Sequence, residues 1–391
     1  MHLPARVASA IGSLALILGG SVSAAQAEPL NSDVVGHLYV NDNTAGVNTV
    51  AGFNRHPDGS LTPIAGSPFV AGGAGTGQSI GSQGALQASS DGRYLLVADA
   101  ASGQISVLRI RHDGSLRQVE DSPVSSGGST PVTIAVHDDL VFVGNSGAIS
   151  NYTGFRLDEG GHLRRLDNST FSLPSGTMPG DVLFDGDGSH LVGTRIGTGV
   201  GAATLPSEID SFTVGDDGHL TAAPGSPFAA QGAGPFGSEF RPTNADQLFV
   251  SNAHDGAGKG SISAYDVTAN GILDPIAGSP FADKQTAPCW VEITHDGNFL
   301  FTVNTAVPSI SRFSIAADGT LTLLGSTPFN APTGLGPEDA RLGPKGDKLW
   351  VVDTGAGMVS AFAVSGGNLT ELASSPTPLP AGVHPFGIVV N

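Results

Sequence analysis

Apolar and polar residues alternate with a period of two along much of this chain. Gln104-Ile105-Ser106-Val107-Leu108-Arg109-Ile110, Ser261-Ile262-Ser263-Ala264-Tyr265-Asp266-Val267 and Ser309-Ile310-Ser311-Arg312-Phe313-Ser314-Ile315 show the pattern. Such alternation sends successive side chains to opposite faces of an extended strand. Each segment leads through a turn, such as Asp113-Gly114 or Asp318-Gly319, into a further strand, which predicts a hairpin. Another hairpin lies upstream, over Ala88 to Asp99 and again over Ile293 to Asn304, each turning at Asp-Gly. The unit so defined holds four strands.

The unit recurs. A Gly-x-Leu strand start appears at Gly59, Gly114, Gly161, Gly218, Gly271, Gly319 and Gly367, at spacings of 47 to 57 residues. Most copies are followed by Gly-Ser-Pro-Phe, as at Gly66 to Phe69, Gly225 to Phe228 and Gly278 to Phe281, with weaker copies at Ser122-Pro123 and Ser326 to Phe329. Seven four-stranded units predict an all-β, seven-bladed β-propeller, in which both faces of each sheet pack against its neighbours. The ends sharpen this prediction. His37 to Asp42 matches a second strand with no first strand before it, and Pro385 to Val390 matches the missing one. The C-terminal strand should therefore pair into blade one and close the ring.

Composition agrees with short strands and tight turns: 56 Gly, 26 Pro and 13% charged residues. At the N-terminus, Arg6 precedes an apolar stretch from Val7 to Ala25 and then Ala25-Gln26-Ala27, the small-x-small pattern of a signal-peptidase site. Residues 1–27 are read as a signal peptide and 28–391 as the propeller, exported to the periplasm or secreted. Glycines and serines dilute the apolar stretch, and no stop-transfer charge follows it, so no membrane insertion of the mature chain is expected. Cys289 is the single cysteine, so burial and not disulfides must hold the fold. Removing residues 1–27 takes away only Arg6 and leaves 16 Lys and Arg against 35 Asp and Glu. That balance argues against nucleic acid or an anionic membrane surface as a partner. A monomer is expected.

The Asp-Gly-x-x-Leu hairpin, the Asp or Asn closing the second strand and the Gly-x-Leu strand resemble the lactonase family of seven-bladed propellers. That family includes 6-phosphogluconolactonases and carboxy-muconate cyclases, and the chain also resembles, more loosely, the YVTN-repeat propellers. The resemblance spans the mature chain. One departure is that the family's Pro-Arg-His lead into a first strand is replaced here by Gly234-Pro235-Phe236-Gly237 and Gly336-Pro337-Glu338-Asp339. The resemblance implies a lactonase-like hydrolase opening a small cyclic ester, anionic or neutral, in the channel. A muconate-type cycloisomerase and a non-enzymatic YVTN-type binding propeller are the alternatives. Phosphorylated sugar lactones are cytosolic, so an exported chain fits a true 6-phosphogluconolactonase poorly.

Comparing the seven copies with one another exposes exceptions. The residue closing the second strand is Asp42, Asp99, Asn145, Asn252, Asn304 or Asp353 in six blades and Arg195 in the fourth. The Asp/Asn set is expected to cap its turn by accepting backbone N–H bonds. Arg195 cannot do so, and either turns to solvent or serves a site. In the first strands, the second position after the Pro or Gly start carries Asp181, Trp290 and Asp339. The fourth carries Gln87, Leu183, Glu239, Glu292, Arg341 and Val389. This polar set is expected to converge on the channel, as a water-filled tunnel with structural ion pairs or as a site. For lactone hydrolysis Glu239 or Glu292 is the candidate base, Arg195 and Arg341 the oxyanion or carboxylate holders, and His384 an alternative acid or base. Asp181, Trp290, Asp339 and Gln87 are the candidate substrate contacts.

Other constellations carry less. The glycine-rich segments 72–77 and 197–201 precede no helix and read as loops. Asp185-Gly186-Asp187-Gly188 lacks the spacing of a helix-loop-helix calcium site, and the His residues show no zinc-ligand spacing, so neither a metal nor a cofactor is expected.

Overall fold

The computed structural model describes residues 33–197, 205–330 and 336–391; the expected signal segment, 1–27, and residues 198–201 of the second glycine-rich loop lie outside them. The described residues contain strands and turns but no helix, and so none long and apolar enough to cross a membrane. Seven antiparallel sheets follow one another along the chain. Each first strand packs against the first strand of the next blade, all the way round the ring. The closing strand is where the sequence placed it: Ile388–Val390 pairs with Gly36–Asn41, with Leu38 opposite Val390 and Val40 opposite Ile388. Arg55 reinforces the closure by donating to the Asn391 carbonyl through Nε at 3.0 Å and also through Nη2.

The core lies between blades, not within one. In blade two, Leu95 and Val97 pack with Tyr39 and Val50 of blade one, while Tyr94, Leu96 and Ala98 join Ile134 and Phe155 of blade three. A strand buried on both faces is apolar at every position, which accounts for the run Tyr94-Leu95-Leu96-Val97-Ala98. The seven glycines of Gly-x-Leu all have positive φ, between 74° and 87°. Their turns sit on the preceding blade: a Cβ on Gly161 would collide with Tyr94, whose hydroxyl donates to the Glu159 carbonyl at 2.9 Å. Glycine is thus needed for conformation and for close approach.

Gly-Ser-Pro-Phe has an equally local cause. The outer strand breaks at this segment, as between Leu61–Pro63 and Phe69–Val70, and the proline there brings no N–H to the ladder. The serine before it repairs the gap by accepting a third-strand N–H, as Ser67 does from Gly52 at 2.9 Å and Ser279 does from Ala264 at 2.8 Å. The break does not need the proline: blade three has Thr170 there and still breaks between Leu163–Arg165 and Phe171–Ser172, Ser169 accepting the Gly154 N–H at 3.1 Å, whereas in blade six the outer strand Leu321–Pro328 is continuous.

The Asp/Asn set closing the second strands departs from the expectation. These side chains are buried and mostly reach across to the third strand instead of capping their own turn. Asn252 donates to Ser261 at 3.0 Å and Ser263 at 2.9 Å, Asn304 to Ser309 at 3.1 Å and Ser311 at 2.9 Å, and Asp99 accepts from Ser106 at 2.6 Å. Asp353 alone matches the turn-capping role, accepting from the N–H of Ala356 at 3.1 Å.

Candidate active site in the central channel

Strand register puts the charged positions at one level. Glu239 lies opposite Phe249, Glu292 opposite Phe301 and Arg341 opposite Trp350, each on the first strand of its blade. A bulge follows the opening proline in each of these strands. Such bulges re-aim the side chains that follow. Arg341 Nη1 stands 3.5 Å from Glu292 Oε1, and Glu292 Oε2 accepts the Leu342 N–H at 3.1 Å. Glu239 accepts no hydrogen bond from another of the described residues and is half-buried, whereas Glu292 is buried. One carboxylate is therefore pinned and the other is free.

Asp181 and Asp339 lie closer to the strand starts and are almost completely buried, at 2% and 1% exposure. Asp181 accepts from the Ser238 N–H at 3.0 Å, the Ser238 hydroxyl at 2.8 Å and Thr133 at 3.3 Å. Asp339 accepts the N–H of Ala340 at 3.0 Å and, at 3.4 Å, that of Gly84. Burial pushes Asp181 up to about 8, with Asp339 adding to the rise and the Ser238 bonds opposing it. Burial likewise pushes Asp339 up to about 7 against the pull of Arg341. Glu239 and Glu292 are both raised, by burial first, with their mutual repulsion adding to Glu239 and Arg341 opposing both shifts. Burial works against the charge of Arg341, but Glu292, Asp339, Glu239 and Asp181 outweigh it and hold the guanidinium charged. The chamber thus combines one fixed cation with carboxyls able to exchange protons near neutral pH. Among the described residues no three His, Cys, Asp or Glu side chains are gathered to hold a metal ion.

A feature the sequence reading missed closes one end of this chamber. Ser82-Gln83-Gly84, just before the first strand of blade two, crosses to five other blades. Ser82 Oγ donates to the Val132 carbonyl at 2.5 Å, and the Ser82 carbonyl accepts the Trp290 indole N–H at 3.0 Å. Gln83 donates its own N–H to Gly180 at 2.8 Å and its side-chain amide to the Ser238 carbonyl at 2.9 Å, and accepts the Val291 N–H at 3.0 Å. Gly84 accepts from Ile134 at 3.0 Å and donates to Asp339. Ser238 and Val291 immediately precede Glu239 and Glu292, so Gln83 fixes the spacing of the strands that carry both. The signal was present: a Cβ on Gly237 would strike Gln83 Oε1, so blade five has glycine where its neighbours have Asp181, Trp290 and Asp339.

The remaining predicted residues are dispersed. Trp290 is buried, packed edge-on to Phe236 at 5.1 Å, and anchors the plug. Gln87 is half-buried on its first strand beside Gly84. His384 is exposed at the start of the closing strand, its N–H bonded to the Asp42 carbonyl at 3.1 Å. Arg195 is held within blade four, donating to Asp210 through Nε at 2.6 Å and through Nη2, and to Glu208 at 2.8 Å. The partner positions explain the exception. Arg195 pairs with Glu208 as Asn252 pairs with Ser261, and Asp210 stands two residues on, where Ser263 stands in blade five. Blade four replaces a neutral Asn and two serines by a cation and two carboxylates, and Tyr152 of blade three donates to Asp210 at 3.0 Å. A separate cavity of about 970 Å³ adjoins the outer end of the plug, walled by Gly81, Met178, Ile196, Ala233, Phe236 and His254.

Fold and site together define a closed seven-bladed propeller with a charged, plugged channel. Comparison with known proteins gives it a family: residues 33–184 and 200–385 match the model described as "Lactonase, 7-bladed beta-propeller", and the chain belongs to that family. Similar solved structures include a candidate 6-phosphogluconolactonase from Bacteroides fragilis, 20% identical with a TM-score of 0.70, covering 93% of this chain and 99% of its own. A periplasmic gluconolactonase from Pseudomonas aeruginosa is 17% identical with a TM-score of 0.69, covering 90% of this chain and 98% of its own. A protein from Desulfotomaculum acetoxidans is 14% identical with a TM-score of 0.65, covering 91% and 98%.

Proposed function

We propose that the channel hydrolyses a small cyclic ester, with Glu239 as general base and Arg341 as the group that stabilises the oxyanion. The observation that carries this reading is the unequal treatment of two neighbouring glutamates. Glu292 is tied to the Leu342 N–H and Arg341, while Glu239 is raised by burial and has no hydrogen-bond partner among the described residues. A base needs a free lone pair and a pKa near the working pH. Glu239 takes a proton from water, the resulting hydroxide attacks the ester carbonyl, and Arg341 donates to the oxygen as it becomes negative. Collapse breaks the ring C–O bond, and protonated Glu239 returns its proton to the departing alkoxide. Glu292 holds Arg341 in place.

Family membership supports lactone chemistry, and the Pseudomonas relative is a periplasmic gluconolactonase, in keeping with export of this chain after cleavage beyond Ala27. Arg195 and His384 take no part in this mechanism, since one is occupied by carboxylates and the other is exposed at the ring's rim. A panel of lactones titrated at constant pH tests the proposal. Glu239→Gln should lower kcat at least about a thousandfold, and Glu292→Gln about tenfold to a hundredfold, both folded. Hydrolysis untouched by Glu239→Gln refutes the assignment. N-terminal sequencing of the exported protein should begin near Glu28.

A further inference from the structure

The cavity outside the plug differs in chemistry from the chamber behind it. Its volume is about 970 Å³, and among the described residues no Asp, Glu, Lys or Arg lines it. Smaller cavities elsewhere are lined by charges, such as Glu120 and Arg164, Asp139 and Glu159, or Asp296 and Lys345. Blades four and five build this wall from Met178, Ile196, Ala233, Phe236 and Ala253. Ile196, Phe236 and Ala253 are buried, and Trp290 braces Phe236 edge-on, so the surface is preformed. The backbone around it satisfies itself. The N–H of Ile196 donates to the Met178 carbonyl at 3.0 Å, that of Ala253 to Gly234 at 2.9 Å and that of His254 to Ala233 at 2.9 Å. Ser207 Oγ accepts from the Gly234 N–H at 3.0 Å and donates to the Ile196 carbonyl at 3.2 Å. At the rim, Met178 is 44% exposed, and the His254 ring lies against Gly234 with no hydrogen-bond partner among the described residues. Partial burial lowers the His254 pKa, with Asp255 opposing, so the ring is neutral near pH 7.

We propose that this cavity is a second binding site, separate from the chamber that holds Glu239, for an uncharged aromatic or alicyclic molecule carrying one hydrogen-bonding group. Its rings cover Phe236, Ile196 and Ala253 beneath the polarisable Met178 thioether, and its polar group meets the His254 ring. A neutral imidazole both donates and accepts, so either kind of polar group finds a partner there. A charged ligand gains nothing, because its charge is drawn out of water against walls that offer no counter-ion. Gly81 of the plug segment forms part of the floor, so a bound molecule rests on the outer side of the plug.

Fluorescence titration of the whole protein with N-phenyl-1-naphthylamine tests the site, since this uncharged dye has apolar rings and one N–H and brightens in apolar surroundings. Saturable binding of one dye per chain is expected. The same skeleton bearing a sulfonate, 8-anilinonaphthalene-1-sulfonate, should bind at least about tenfold more weakly. Met178→Asp sets a charge at the rim and Ala233→Trp fills the volume, and each should weaken the neutral dye at least about tenfold. Leu324→Asp, at an exposed leucine on blade six, should leave binding unchanged. Thermal unfolding establishes that each variant is folded, and Met178, being exposed, can be replaced without disturbing the core. No saturable binding, equal affinity for the sulfonate, or binding unmoved in folded Met178→Asp overturns the proposal. The readout involves no turnover, so a failure of the hydrolase reading leaves it intact.

Discussion

Arg195 shows how an exception in a repeat is to be weighed. In sequence it stood out as the one basic residue among six Asp and Asn, and it invited a catalytic role. What one strand could not disclose was that the partner strand had changed with it, to Glu208 and Asp210, making an internally balanced unit. The compensation is testable. Arg195→Ala should lose about 3–5 kcal/mol, because it leaves the Asp210 carboxylate buried without its cation, only Tyr152 still donating to it. Arg195→Asn combined with Asp210→Ser rebuilds the pattern of blade five and should recover most of that loss in thermal unfolding. If the double variant is no more stable than the single one, the two changes are independent and the account of blade four is wrong. The positions of Glu239, Glu292 and Arg341 were more legible: counting four residues from the opening Pro or Gly of each first strand finds them, and the strand register sets them at one level. Their unequal roles were not legible, because they depend on Leu342 and Gln83, which lie in other blades or outside the repeat.

At the scale of elements, the hairpins and the closing strand follow from local sequence. Period-two alternation and positive-φ glycines act within a few residues. The plug does not. Ser82-Gln83-Gly84 has no apolar periodicity, and its bonds run to residues far along the chain, such as Ser238 and Val291. Only the glycine at 237 left a trace of it. Gly237→Val should displace Gln83, costing about 2–3 kcal/mol of stability from steric overlap, and should lower kcat because the strands bearing Glu239 and Glu292 lose their common tie. Equal melting temperature and equal rate in that variant would show that the plug neither packs nor positions anything.

For the whole molecule, burial of ionisable groups sets the response to pH. Asp42 and Asp339 are pushed up to about 7, and Asp181 and Glu338 to about 8, all chiefly by burial. A carboxyl whose folded pKa exceeds its unfolded value keeps its proton longer when folded, so stability falls as pH rises from the unfolded value through the folded one. His190, raised by its bond to Asp185, contributes stability below its unfolded pKa that is lost as pH rises through the folded one, which is the same direction. Exposed turn aspartates such as Asp58 and Asp113 are lowered by their serine partners and act oppositely, in more acid solution. The melting temperature should therefore peak near pH 5 and drop by about 5 °C or more by pH 8.5, and Asp339→Asn should flatten the decline. In the proposed mechanism the same buried carboxyls govern catalysis. The most direct measurement is the pH dependence of kcat for an uncharged lactone. A buried base predicts a rate still rising above neutral pH, with that limb absent in Glu239→Gln. A rate already level from about pH 5, as an ordinary exposed carboxylate gives, or a limb that survives Glu239→Gln, contradicts the account.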